Sequence, residues 1–147
     1  MSQNGSDPIK LEVLVAQFQA RELPKVLWTH VAHIQVAFWY NWHYPYSEAL
    51  QQVRTGITAY NEAVGTPNTD ESGYHETLTV YWMRISRAFL KRGSYKNAQQ
   101  ACDAFLLTEA AAKTSPFSFY TKEVLFSKRA RQQWVDGDLQ AVPEPVL

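Results

Sequence analysis

The chain has 147 residues, 46% hydrophobic and 14% aromatic, which is enough apolar material for one core and too much for a disordered chain. Its 14 basic and 14 acidic side chains cancel, so no global field draws it to nucleic acid or to an anionic bilayer. A single cysteine, Cys102, excludes an intramolecular disulfide and any Cys-rich zinc motif, and amid the apolar residues of ACDAFLL it reads as a small hydrophobe.

In chain order, Asp7 followed by Pro8 signals a helix start, and Leu11, Leu14, Val15 and Phe18 recur at helical spacing until Leu23-Pro24 stops the pattern. Thr29 caps a second helix, HVAHIQVAFWYNW, with Val31, Ile34, Phe38 and Trp42 on one stripe, ending before HYP. Pro45 and Ser47 start a third, in which Leu50, Val53, Ile57, Tyr60 and Val64 are spaced by three and four, with Gly65 closing it. TPNTDESG is dense in turn residues, each favouring a turn for its own reason. A fourth helix follows with His75, Leu78, Trp82, Ile85 and Phe89 on its inward stripe, and it stops at Gly93 after Lys91 and Arg92. KNAQQACDAFLLTEAAAK (Lys96–Lys113) makes a fifth, with Cys102, Phe105 and Leu106 inward. Beyond Ser115-Pro116 the pattern breaks into FSFY and LFSKRARQQW, where Ser127 caps a last short helix, and DGDLQAVPEPVL reads as tail.

This is an all-α chain: one antiparallel bundle of four principal helices with short C-terminal helices, spanning 1–147 as a single domain, its tail at about 136–147. The short link between the second and third helices makes them antiparallel neighbours. MSQNGSDPIK has no signal-peptide pattern. The uncharged segment Val26–Ser47 carries Thr29, His30, His33, Gln35, Asn41, His43 and Pro45, which suits a buried helix and not a membrane span. The cytoplasm is the expected compartment, with no membrane or nucleic-acid partner.

An up-down bundle places the start of the second helix, the end of the third and the start of the fourth in one layer, gathering His30, His33, Tyr60, Asn61, His75 and Glu76. His30 and His33 share a helix face at roughly 5–6 Å between Cβ atoms, close enough for one ion or ligand. Neutral imidazole is favoured near a helix N-terminus, and it is the form that binds metals. One reading therefore puts a divalent transition metal, Zn, Fe, Ni or Mn, on His30, His33 and His75, with Glu76 and Tyr60 for acid-base work, Asn61 holding a small organic substrate, and Trp28, Tyr74 and Trp82 as walls. The other reading is structural. Glu76 complements a helix N-terminus capped by Gly73, and the polar groups hydrogen-bond one another in a non-catalytic domain, ligand-binding or purely structural. HxxH with a distant HE leaves both open. A homodimer, through the aromatic segment Phe117–Phe126, is also open.

Arg54, Arg84 and Arg87 suit an anion clamp or, more commonly, surface ion pairs, and His43 suits a turn. There is no GxSxG elbow, phosphate-cradling glycine loop or dinucleotide fingerprint, so hydrolase, kinase and dehydrogenase readings gain no support.

LPKVLWTHVAH, YNEAVGTPNTD, GYHETLTVYW and LFSKRARQQW with Asp138-Leu139 resemble a family of small bacterial helical proteins, about 150 residues long, that carry WTHxAH and GYHET and have no assigned activity. The resemblance runs over most of the chain. It implies a bacterial origin and the same polar layer, and it supplies no chemistry. Where that family has Pro-Asp-Leu near its end, this chain has Gly137-Asp138-Leu139.

Overall fold

The computed structural model describes residues 9–145, so the Asp7-Pro8 start signal lies outside the described residues. Among the described residues the α-helices are α1 Leu11–Gln19, α2 His30–His43, α3 Tyr46–Ala63, α4 Glu76–Arg92, α5 Ala98–Leu106, α6 Lys122–Leu125 and α7 Lys128–Gln132. Single turns of 3-10 helix occupy Lys25–Leu27, Glu109–Ala111 and Ser115–Ser118. The all-α reading holds, and no described helix is long and apolar enough to cross a membrane.

The central element is α2. Thr29 caps it by accepting the Ala32 N–H at 3.2 Å, and α1, α3, α4 and α5 all pack around it. Being covered on nearly every side, it buries Ala32, Ile34, Gln35, Val36, Ala37, Phe38, Tyr40 and Asn41, which is why the segment carries no charge. Of the expected stripe, Ile34 and Phe38 are buried, Val31 is half-buried, and Trp42 is 37% exposed. Burying a side chain the size of Phe38 or Ile34 stabilises by roughly 1.5–3 kcal/mol.

Pro45 holds Tyr44 in an extended conformation, ending α2 and reversing the chain into α3. That helix buries Leu50, Val53, Ile57 and Tyr60, and Gly65 follows its end at φ +79°. Arg54 of α3 meets Glu76 at the start of α4, while Tyr46 at the start of α3 feels Arg84 further along α4, so these two helices are antiparallel.

Three sequence expectations need correction here. The first concerns α4, which is buried on two sides and not along one stripe. Val80 and Met83 face the main core, whereas Tyr81 joins Tyr120, Leu125 and Val142 in a second cluster built by the C-terminal segment, and Trp82 and Ile85 sit against both. Secondly, the fifth helix stops at Leu106, not Lys113. Thr108 Oγ1 donates back to the Phe105 carbonyl at 2.7 Å, and a separate 3-10 turn then buries Ala111. Thirdly, the residues read as tail form a strap across α4: Thr121 donates its N–H and hydroxyl to Asp138 at 2.9 and 2.8 Å, Arg84 Nη1 donates to the Pro143 carbonyl at 3.3 Å, and Val142 is 2% exposed. A Cβ at Gly137 would stand 2.1 Å from the Gln140 carbonyl oxygen, so a proline there would not fit this strap.

Candidate functional site

His75 is the N-cap of α4, in place of Gly73, and Glu76 is the first helical residue, not the third. Gly73 instead makes the turn at φ +80°, where a Cβ would lie 2.3 Å from the Pro67 carbonyl oxygen. With His75 in extended conformation, its Nδ1 accepts the Leu78 N–H at 3.1 Å. That acceptance puts the ring proton on Nε2, which donates to the Leu125 carbonyl of α6 at 2.8 Å. Both nitrogens are thus engaged by backbone. The ring is buried, and burial lowers its pKa, keeping it neutral in the form that serves as a cap.

Glu76 is held by two side chains. Arg54 grips its carboxylate with Nε at 3.0 Å from each oxygen and Nη2 closer still, and the Tyr74 hydroxyl donates at 2.6 Å. Burial, with the neighbouring carboxylate, pushes the Tyr74 phenol well above its ordinary value. The carboxylate lies where it complements the positive end of α4.

The other candidates also face backbone or aromatic partners. His30 Nε2 donates to the Ala111 carbonyl at 2.8 Å, and its ring meets Trp82 edge-on at 5.0 Å. His33 Nδ1 donates to the Thr29 carbonyl at 2.7 Å, and its ring lies on Trp28 at 3.8 Å between centroids. Burial pushes the His33 imidazole down to about 4. Trp28, half-buried, packs between Phe18 at 5.0 Å and Tyr60 at 5.2 Å against the main core, and it lines neither the cleft along α3 nor the one at the far ends of α2 and α4. The Tyr60 hydroxyl donates to the Leu23 carbonyl at 2.8 Å, and burial raises its pKa. Asn61 Nδ2 donates to Asn68 Oδ1 at 3.0 Å, tying α3 to the loop before α4.

The expected layer is therefore partly assembled: His33, Trp28 and Tyr60 stand together, Glu76, Tyr74 and Arg54 stand together, and His75 turns away toward α6. Among the described residues no group of three or more His, Cys, Asp or Glu side chains is arranged to hold a metal ion. The arginines likewise do not converge on one anion. Arg54 pairs with Glu76, Arg84 lies 4.2 Å over the Trp134 ring, and Arg87 Nη1 donates to the Asn41 and Tyr44 carbonyls at the end of α2. His43, expected in a turn, is instead the last residue of α2, exposed and with its ring 4.3 Å from that of Trp39.

Several members of this network were not singled out from sequence. Asn68 Oδ1 accepts from Asn61 and from the Tyr74 N–H at 2.9 Å, while its Nδ2 donates to the Thr58 carbonyl at 3.2 Å. Thr77, fully buried, donates to the Gln133 carbonyl at 2.8 Å and accepts the Val135 N–H at 3.1 Å. Arg131 Nη1 donates to the Gly73 and Tyr74 carbonyls at 3.0 and 3.3 Å. Asn68 was discoverable as an Asn in a turn; Thr77 and Arg131 carried no local signal, because their partners lie more than fifty residues away.

Concavities lie elsewhere. A cleft of about 370 Å³ is lined by Asn41, Trp42, Arg87, Leu90, Lys91, Gly93, Ser94 and Tyr95 at the far ends of α2 and α4, and a shallower one of about 410 Å³ runs along the outer face of α3 from Arg54 to Glu62. The first is the better candidate for a ligand, because it is more enclosed and its floor is polar and aromatic. No protein-family model, curated protein or solved structure matches the chain significantly.

Proposed function

We propose that the chain is a non-catalytic helical domain whose histidine, tyrosine, asparagine and glutamate side chains fasten its loops and C-terminal segment to the bundle. The observation that carries this reading is the double engagement of His75, Nδ1 by the Leu78 N–H and Nε2 by the Leu125 carbonyl. An imidazole with both nitrogens bound to buried backbone offers no lone pair to a metal or a substrate proton. Elemental analysis of untagged protein, with melting temperatures for His75→Ala and His33→Ala, tests the proposal. It expects no stoichiometric metal and a large loss of stability for His75→Ala; bound metal that disappears on either substitution would restore the metal-assisted reading. A cytoplasmic setting belongs to this proposal, supported by the buried free thiol of Cys102.

One observation favours a small-ligand role within the same non-catalytic reading: at the cleft between the ends of α2 and α4, Trp42 keeps 37% of its surface exposed and shares the lining with Tyr95. Two aromatic rings flanking polar groups suit a small planar organic molecule. Titration of small aromatic compounds against tryptophan fluorescence, compared between wild type and Trp42→Phe because the chain has five tryptophans, tests it. Saturable quenching lost in Tyr95→Ala supports a seat there, and a flat response across the series removes it.

A further inference from the structure

We propose that His75 is an acid-sensitive latch: protonating its Nδ1 unfastens α6, α7 and the C-terminal strap from the bundle while the main core stays folded. The inference rests on the structural reading of His75 given above.

The geometry leaves His75 one compatible protonation state. Its Nδ1 lone pair is the acceptor that caps α4 through the Leu78 N–H, and its Nε2–H is the donor that holds the Leu125 carbonyl. A proton arriving from solvent would sit on Nδ1 and point at the Leu78 N–H, donor against donor. The Leu78 hydrogen bond then breaks, and a buried cation is left at the positive end of a helix. The ring can recover only by moving out to water, and the Leu125 carbonyl is released with it.

Its surroundings offer the cation little compensation. From α7, Arg131 reaches the Gly73 and Tyr74 carbonyls and opposes a second positive charge nearby. From its own helix, Glu76 favours the charge, yet that carboxylate is already gripped by Arg54 and Tyr74. From α6, His75 meets a backbone carbonyl. The segment so released has a core of its own, and its opening also breaks the Thr77 bonds to Gln133 and Val135 and the Arg131 bonds to Gly73 and Tyr74. Tyr120, Leu125 and Val142 form their own buried cluster on the far side of α4, joined to the main core through Trp82, Ile85 and Trp134. Loss of one cluster with retention of the other is the ordinary form of sub-global opening.

Burial holds the folded His75 pKa below its ordinary 6.5. Opening should therefore be suppressed above that value and grow by at most about tenfold per pH unit below it, until the folded pKa is passed. His33 titrates over an overlapping range, but it sits at the start of α2 on Trp28, away from the strap.

The test uses full-length untagged protein dialysed against EDTA, with hydrogen-exchange protection factors measured at pH 7.5, 6.5 and 5.5. In wild type, factors for residues 119–145 should fall by up to about fivefold between pH 6.5 and 5.5 while those of α2 and α3 hold. His75→Asn, which keeps a cap acceptor but does not titrate, should abolish the fall, and His33→Gln should leave it in place. A flat wild-type profile, an equal fall in His75→Asn, or its loss in His33→Gln overturns the latch. If His75→Asn does not fold, imidazole nitrogen shifts of wild type replace it: His75 protonation must coincide with the fall. A change in protection caused by EDTA itself at pH 7.5 would instead overturn the structural reading, so the two failures are distinguishable.

Discussion

Replacing His75 with alanine removes three supports at once. The α4 N-cap is lost, at about 0.5–2 kcal/mol for a capping side chain replaced by alanine. The Leu125 carbonyl, on a residue 1% exposed, loses its donor, and a buried unsatisfied acceptor costs about 1–3 kcal/mol. Together these two losses make roughly 2–5 kcal/mol, before any contribution from the imidazole-sized void. For a domain of this length each kcal/mol moves the melting temperature by roughly 2–4 °C, giving a fall of roughly 4–20 °C. Urea unfolding followed by tryptophan fluorescence and circular dichroism measures it, and His75→Asn, which restores the cap alone, should recover about 0.5–2 kcal/mol. A His75→Ala loss below about 1 kcal/mol would refute the reasoning, because neither hydrogen bond would then be supporting the fold.

Three further outcomes are expected. His33 has its folded pKa lowered from 6.5 to about 4, so its contribution to stability is complete above 6.5 and is lost as pH falls toward 4; the difference between wild type and His33→Gln in urea midpoint should shrink over that window and not above it. Cys102 is fully buried, with its thiol pushed up to about 12, so alkylation of native protein should be far slower than in urea and should follow the unfolding rate. Arg54→Lys should cost about 1 kcal/mol or less, since the arginine side chain is 37% exposed, and should show as a small midpoint shift reduced by salt; a loss as large as that of His75→Ala would mean that Glu76 is far less solvated than its setting indicates.

Much of the fold was legible because its signals are local. Thr29 and Ser127 cap the helices they introduce, the Leu50–Val53–Ile57–Tyr60 spacing marks the buried side of α3, and Pro45 and Gly65 fall where helices end. What failed was decided by distant chain. The misplacement of the α4 start by two residues turned a cap into an inward ligand: from sequence, Gly73 competes with His75 for the N-cap, and only the Leu125 carbonyl, fifty residues on, settles the choice. In the same way TEAAAK has high helix propensity, yet the chain leaves α5 at Leu106 and places Ala111 against His30. The stripe on α4 was misread because the sequence shows one apolar face, while the strap supplies a second surface to cover. The polar residues marked in the sequence do take part in long-range hydrogen bonds. For His30, His33, Tyr60 and His75 the partners are backbone carbonyls, and backbone carries no sequence signal.

The account is tested most directly by imidazole nitrogen shifts in labelled, untagged protein at pH 7.5, recorded before and after a stoichiometric addition of zinc. It predicts His75 as the Nε2–H form with Nδ1 accepting a hydrogen bond, unchanged by the metal. A joint shift of His30, His33 and His75 saturating at one zinc per chain would contradict it.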